Sequence, residues 1–332
     1  MLKALYILDP GPYDWIYGSM EREAISKLVD VYAPPQTVQS IREHPDVLHE
    51  AQIILSGWGA PEMNAEFLHH ASQLKAVFYG AGSIRGIVTD AFWDRGILIT
   101  SAYGANAVPV AHYALAQILL SLKNGWRFAL NLKHTHRYPE REEMQVAGTY
   151  GSTVGVISLG MVGRLVCELL KPFDLHVLAY DPFATAERAQ QLGVERCTLD
   201  DVFRRADVVS LHTPWLKETV GLITGAHFTS MKPGATFINT ARGAVVREQE
   251  MIDVLRQRPD LFALLDVTYP EPPAPDSPLF TLPNVLVTPH IAGSVGVECQ
   301  RQGHYMVEEL NRYLHGEALY WGITREMAKV LA

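Results

Sequence analysis

The 332-residue chain has few cysteines, no excess of positive charge and no long uninterrupted apolar run. Each shortage closes off a class of protein. Three cysteines (Cys167, Cys197 and Cys299) are an odd number lying far apart, so they make no disulfide framework. Lys and Arg number 28 against 36 Asp and Glu, giving a formal net charge of −8. Such a chain has no basic field to follow a polyphosphate backbone, and no nucleic-acid partner is expected. The apolar start, Met1 to Asp9, is too short for a signal peptide and closes on Asp9-Pro10-Gly11. The most apolar long window, Val108–Leu122, is interrupted by His112 and Gln117 and reads as short of a membrane span. No internal repeat is present, and no metal is expected. The reading is of a soluble, reduced, cytoplasmic protein that has no membrane partner.

What is present is a packed globular composition, 48% hydrophobic and 19% charged, in a length that suits two domains. Short apolar runs at Leu2–Leu8, Ile53–Ser56, Ala76–Tyr79 and Ile97–Thr100 alternate with amphipathic stretches such as Met20–Val29 and Asn64–Ala71. A long helical pattern follows over Val108–Asn124, and then a polar stretch, Lys133–Gly148, with the character of a surface loop. From Thr153 the rhythm is regular. Runs at Thr153–Ser158, His176–Tyr180, Asp207–Leu211, Ala235–Asn239, Ala263–Val267 and Val285–Thr288 are separated by helix-length segments. Continuous apolar runs of this length are strands buried on both faces of a parallel sheet, with right-handed helical crossovers. Six such strands complete a doubly wound dinucleotide-binding sheet near residue 290. One more helical pattern, Val297–Leu314, precedes the tail.

The first of these strands runs into Ser158-Leu-Gly160-Met-Val-Gly163 and then a helix. Gly160 lets the backbone approach a pyrophosphate and Gly163 lets the helix pack on the strand, while the helix N-terminus offers free amides to the anion. Ser158 stands where the first glycine of such a turn belongs, and can make the turn with φ negative or mildly strained. The second strand ends on Asp181, eighteen residues past Gly163. An acidic residue there accepts hydrogen bonds from the adenosine ribose and repels a 2′-phosphate, which predicts NAD over NADP; the plainer alternative is that Asp181 starts an Asp-Pro turn.

Three further patterns stand at strand ends, where ligands of open α/β sheets bind. Arg242, in Asn239-Thr240-Ala241-Arg242-Gly243, can clamp a carboxylate with its fork while polarising an adjacent carbonyl. Glu271 leads the stretch Pro270–Pro278, whose five prolines in nine residues make it extended and stiff. His290, in Thr288-Pro289-His290-Ile-Ala-Gly293, suits proton transfer near neutral pH when a carboxylate fixes its tautomer. Any one of these residues alone reads as structural. The order of turn, Asp181, Arg242, Glu271 and His290 carries the functional reading.

Those segments, with His212-Thr-Pro214 and Thr219, resemble the D-isomer-specific 2-hydroxyacid dehydrogenases, most strongly from Gly104 to Gly293. The resemblance implies two Rossmann-like, doubly wound α/β domains: a substrate domain of residues 1–102 plus 294–332, and an NAD-binding domain of 103–293 inserted into it. It implies that Arg242, Glu271 and His290 are the catalytic residues. By the same matching, Ser158, Gly160, Met161, Val162, Gly163, Asp181, Thr213, Pro214, Thr219, Thr240, Ala241, Asp266 and Gly293 belong to the cofactor site. Gly80, Ala81 and Gly82 resemble the loop whose amides meet the substrate carboxylate, which Arg242 and His290 also serve. The implied activity is NAD-dependent interconversion of a 2-oxo acid and a D-2-hydroxy acid in a cleft between lobes, by a homodimer built through the nucleotide domain and the Val108–Asn124 helix. The alternative is an NAD(H)-binding redox sensor of the same fold with little catalysis. Departures from the family pattern are Ser158, His112 in place of an acidic residue, and the lack of Val-Asp after Gly82. Glu271 stands where the formate-oxidising members carry glutamine. Trp58, Tyr79, Tyr103 and Trp215 are candidate pocket walls, and Arg85 is the one nearby cation for a substrate phosphate.

Overall fold

The computed structural model describes residues 1–330. Its strands, in chain order, are β1 (Lys3–Ile7), β2 (Asp30–Val31), β3 (Ile53–Ser56), β4 (Ala76–Tyr79), β5 (Leu98–Ser101), β6 (Thr153–Ile157), β7 (His176–Tyr180), β8 (Glu195–Arg196), β9 (Val208–Leu211), β10 (Thr236–Asn239), β11 (Phe262–Leu265), β12 (Val285–Val287) and β13 (Gly322–Ile323). The chain divides into two compact units. One holds Met1–Asn106 and the segment from Ser294 onward, and the other holds Ala107–Gly293.

The first unit contains a six-stranded sheet in the order β13-β5-β4-β3-β1-β2. All pairings are parallel except that of the two-residue β13, which runs antiparallel to β5. Period-2 alternation sends Leu5 and Ile7 of β1 into one apolar cluster and Ala4 and Tyr6 into another, so both faces are covered. The helix Cys299–Leu314 closes one face. Its Gly303 lies so near the chain at Ile16 that an added Cβ would sit 1.9 Å from that carbonyl oxygen.

The second unit contains a seven-stranded, wholly parallel sheet in the order β12-β11-β10-β9-β6-β7-β8. The sequence predicts six of these strands; the seventh, β8, is a two-residue edge too short to leave a periodic signal. On β10, Phe237 points into a cluster with Phe203 and Phe228, and Ile238 into one with Ile118, Val156 and Leu170. The order in which strands are added reverses between β6 and β9, so the sheet is doubly wound and the switch point lies at its carboxyl edge between these two strands.

Two expectations about the middle of the chain are corrected. The long helix starts earlier, at Tyr103, and runs to Leu122 with Pro109 inside it. As a twenty-residue helix it is long and apolar enough, by length and composition alone, to cross a membrane, unlike the shorter window read from sequence; half of that stretch is buried inside the protein. The supposed loop from Lys133 begins inside a second helix, Gly125–Thr135, entered through Asn124 at φ +49°. Asn tolerates that left-handed turn better than most residues. Cys167, Cys197 and Cys299 are free thiols.

Candidate active site

The glycine-bearing turn joins β6 to the helix Met161–Leu170. Its two glycines act differently. A Cβ at Gly163 would stand 2.0 Å from the Ser158 carbonyl oxygen, so this glycine seats the helix against the strand. A Cβ at Gly160 would meet nothing nearer than the Ser158 hydroxyl at 3.9 Å, which leaves clear room above the turn. No side chain caps this helix. Its first-turn amides therefore have no side-chain acceptor, and the helix dipole adds partial positive charge where Gly160, Met161 and Val162 stand. A cradle that is open at Gly160 and lined by uncapped amides fits a pyrophosphate.

Ser158 carries the cost of the turn. Its φ is +77°, in the left-handed region, so the expectation of a negative or mildly strained φ is corrected. Nearby contacts fix that conformation. Ser158 N–H donates to the Tyr180 carbonyl at 2.7 Å, and Leu159 N–H donates to Asp181 Oδ2 at 2.6 Å. Asp181 Oδ1 accepts the amides of Phe183 and Ala184 at 2.8 and 3.0 Å. Asp181 is thus the residue that ties the glycine-bearing turn to the tip of β7, and it also opens the Asp-Pro turn.

At the end of β9, Thr213 is buried and Pro214 leads into a short loop. The Thr219 hydroxyl closes that loop, lying 2.6 Å from the Pro214 carbonyl and accepting the Leu216 amide at 2.8 Å. His212, which sequence reasoning noted only as part of a motif, is buried with Nε2 3.0 Å from the Ser210 hydroxyl and Nδ1 unpartnered. Burial pulls its pKa down to about 4.

Three adjacent strands, β10, β11 and β12, deliver the proposed chemical groups from their carboxyl ends. After β10, Asn239 shapes the loop: it accepts the Ala241 amide at 3.0 Å and donates to the Arg242 carbonyl at 3.1 Å. This clamp was legible only as an unassigned Asn in the motif. Thr240 is buried with its hydroxyl unpartnered. The Arg242 guanidinium donates to the Ala241 carbonyl at 2.7 Å. Burial lowers its pKa from the ordinary arginine value, and the charge of Glu271 opposes that fall; an arginine so placed keeps its charge. Gly243 then passes so close to the next loop that a Cβ would lie 2.0 Å from the Thr268 carbonyl carbon. Backbone contact therefore couples the arginine loop to the proline loop carrying Glu271.

That proline loop is pinned further by Glu248, which accepts the Tyr269 amide at 3.0 Å, and by an edge-on contact of Tyr269 with Trp215, centroids 5.6 Å apart. Burial raises the Glu248 pKa. After β12, His290 sits at φ +55°, its Nδ1 2.5 Å from Glu271 Oε1. The carboxylate fixes the tautomer: Nδ1 carries the hydrogen and Nε2 is left for chemistry. Asp266, at the end of β11, organises this loop by accepting the Thr288 hydroxyl at 2.6 Å, the Ile291 amide at 2.9 Å and the Ala292 amide at 2.8 Å. Gly293 is the last residue of the unit.

Gly80, Ala81 and Gly82 follow β4 in the other unit, where Ser101 donates its hydroxyl toward the Ala81 carbonyl at 2.9 Å. Tyr79 is buried in that unit's core, and Tyr103 meets Trp321 edge-on with centroids 5.4 Å apart. Both contacts are packing within the unit.

Residues 115–292, just over half the chain, match the family profile described as D-isomer specific 2-hydroxyacid dehydrogenase, NAD binding domain. The D-3-phosphoglycerate dehydrogenase of Archaeoglobus fulgidus is 34% identical over 282 residues, covering 85% of this chain and 52% of that protein. The protein of the same name from Mycobacterium leprae is 36% identical over 258 residues, covering 78% and 48%. The chain thus spans about half the length of the curated relatives it matches. Among solved structures, D-lactate dehydrogenase from Aquifex aeolicus, complexed with NAD and lactic acid, is 26% identical with TM-score 0.71, covering 95% of this chain and 96% of that one. The TT0316 protein of Thermus thermophilus is 25% identical with TM-score 0.76, covering 97% and 100%. The cofactor class of the second unit is NAD.

Proposed function

The chain belongs to the D-isomer-specific 2-hydroxyacid dehydrogenase family, and from that premise we propose that it interconverts a 2-oxo acid and a D-2-hydroxy acid using NAD. The observation that carries this reading is the 2.5 Å contact of His290 with Glu271, in the same unit as a half-buried Arg242 that feels the charge of that carboxylate. NAD, when bound, supplies or accepts the hydride at C2 of the acid. The residues of the chain do the rest. Arg242 binds the carboxylate and polarises the ketone, for which its fixed charge and forked donors suit it. His290, its imidazolium stabilised by Glu271, donates the proton that makes the hydroxyl, and takes it back in oxidation. The turn at Gly160, Met161 and Val162 holds the pyrophosphate, Asp181 favours NAD over NADP, and Thr213, Pro214, Thr240 and Ala241 complete the cofactor site.

The reading includes a homodimer built on the second unit. Its support is the run of exposed apolar side chains Leu120, Trp126, Tyr138, Met144, Val146 and Tyr150, unusual for a surface left in water. Light scattering is expected to give twice the mass of one chain; the mass of a single chain would contradict the dimer.

The substrate is a plain or a phosphorylated 2-oxo acid. Relatives bear names of both kinds, and Arg85 lies three residues past the Gly80–Gly82 loop. Oxidation of NADH should be followed with glyoxylate, pyruvate, hydroxypyruvate, its phosphate and bulkier acids, with NADPH alongside. Turnover of at least one acid, faster with NADH, is the expected result. No turnover of any acid, with NADH bound, would favour the redox sensor.

A further inference from the structure

The proposed acid–base histidine stands on a backbone conformation that side chains other than glycine rarely adopt, and a chain of hydrogen bonds leads away from it to a residue outside every motif. His290 has φ +55°, and a non-glycine residue held there needs support from its surroundings. The support is layered. His290 N–H donates to the Asp266 carbonyl at 3.0 Å, and the next two amides donate to the Asp266 carboxylate. Asp266 Oδ1 also accepts the Thr288 hydroxyl at 2.6 Å. That hydroxyl has one proton, and it is spent on the carboxylate. The 3.0 Å contact between Thr288 Oγ1 and the Tyr113 hydroxyl must therefore have Tyr113 as donor. The sequence of donors is Tyr113 to Thr288 to Asp266, with direction fixed at each step.

Tyr113 lies on the helix Tyr103–Leu122, within the same compact unit as Asp266, Thr288 and His290. Its ring borders a cavity of about 110 Å³ whose wall also includes Gln117, Trp126, Thr240, Asp266 and Thr288. The ring is thus not tightly enclosed on that side, and removing its hydroxyl alone leaves the packing intact.

We propose that Tyr113 is a positioning residue for His290: by saturating Thr288 it directs the threonine's only proton to Asp266, and so holds the loop that presents the imidazole to Glu271. This deepens the dehydrogenase reading and rests on it for the word catalysis, but the geometric claim concerns this chain's own hydrogen bonds and has a readout of its own.

The direct test is Tyr113→Phe, with Thr288→Val and the double variant. Without Tyr113 as donor the Thr288 hydroxyl can turn, and the Asp266 carboxylate loses a fixed partner. A single hydrogen bond is worth about three- to tenfold in an equilibrium or rate. Tyr113→Phe should lower kcat by about that factor while KM for the acid, the dissociation constant for NADH and the melting temperature stay unchanged. Thr288→Val should cause a loss at least as large, and the double variant should be no worse than Thr288→Val, because both cut one chain. Independently of turnover, ¹⁵N-histidine-labelled protein should show a downfield Nδ1–H resonance that is absent from His290→Gln, and this resonance should broaden in Tyr113→Phe. An unaltered resonance, or losses that multiply in the double variant, overturns the positioning role. A broadened resonance in a protein that turns over no 2-oxo acid would keep the hydrogen-bond chain and sink the dehydrogenase reading instead.

Discussion

His290 Nδ1 lies 2.5 Å from Oε1 of Glu271, although the two stand nineteen positions apart with several prolines between them. Each is delivered by a different loop at the carboxyl edge of one sheet, so the contact is a product of strand order: β12 lies beside β11. A carboxylate at that distance both orients the ring and stabilises its charged form. Glu271→Gln keeps an acceptor and removes the charge. Turnover in the direction of reduction is expected to fall about tenfold, with NADH affinity unchanged. Equal rates for the two proteins would show that Glu271 does not support the imidazolium.

The two glycines of the phosphate turn should separate under alanine substitution. At Gly163 the new methyl would collide with the Ser158 carbonyl oxygen, 2.0 Å away, so helix and strand must part. Melting temperature should drop by several degrees, as for about 1–3 kcal/mol of overpacking. At Gly160 the methyl meets open space. The fold should hold while NADH binding weakens by at least tenfold. If Gly160→Ala binds NADH as the parent does, the pyrophosphate is not seated there.

Ser158 at φ +77° gives a gain rather than a loss. Glycine adopts that conformation freely, and relief of strain is partly offset by the greater freedom of glycine in the unfolded chain. Ser158→Gly is expected to stabilise the protein by about 0.5–1 kcal/mol in urea denaturation. A lower midpoint for the variant would mean that the serine hydroxyl does more than the backbone costs.

His212 imposes a pH dependence of defined sign. Its pKa falls from 6.5 to about 4 because burial disfavours the charged ring. The native state therefore binds protons less readily than the unfolded state. The stability that depends on a neutral His212 is complete above pH 6.5 and is lost as the pH falls toward 4, a total of about 3 kcal/mol. Urea midpoints measured at pH 7 and pH 4.5 should differ less for His212→Gln than for the parent. Parallel pH profiles for the two proteins would locate the acid sensitivity elsewhere.

Much of this architecture was legible because apolar period and strand length are local properties. Ile53–Ser56, Ala76–Tyr79 and His176–Tyr180 coincide with the observed strands. Arg242, Glu271 and His290 stand out in the sequence as candidates by their places after predicted strands. What sequence could not carry was set by contacts over long separations. The two-residue strands β2, β8 and β13 exist only through their neighbours. The positive φ of Ser158 follows from its bonds to Tyr180 and, through Leu159, to Asp181, and that of His290 from the grip of Asp266 on its loop. Asn239 and Tyr113 have side chains of ordinary type, and their roles appear only when a partner three or 175 residues away is seen. The helix Gly125–Thr135 was hidden by its polar last turn, Lys133–His134–Thr135.

The central claim is that His290 moves a proton while the second unit holds NAD, and it is tested most directly by His290→Ala measured two ways. NADH binding should be followed by fluorescence, and single-turnover reduction of the best 2-oxo acid by loss of absorbance. The account predicts parental NADH affinity together with a rate lower by about 10²–10⁴. A rate within a factor of about two of the parent, with NADH still bound, would contradict it.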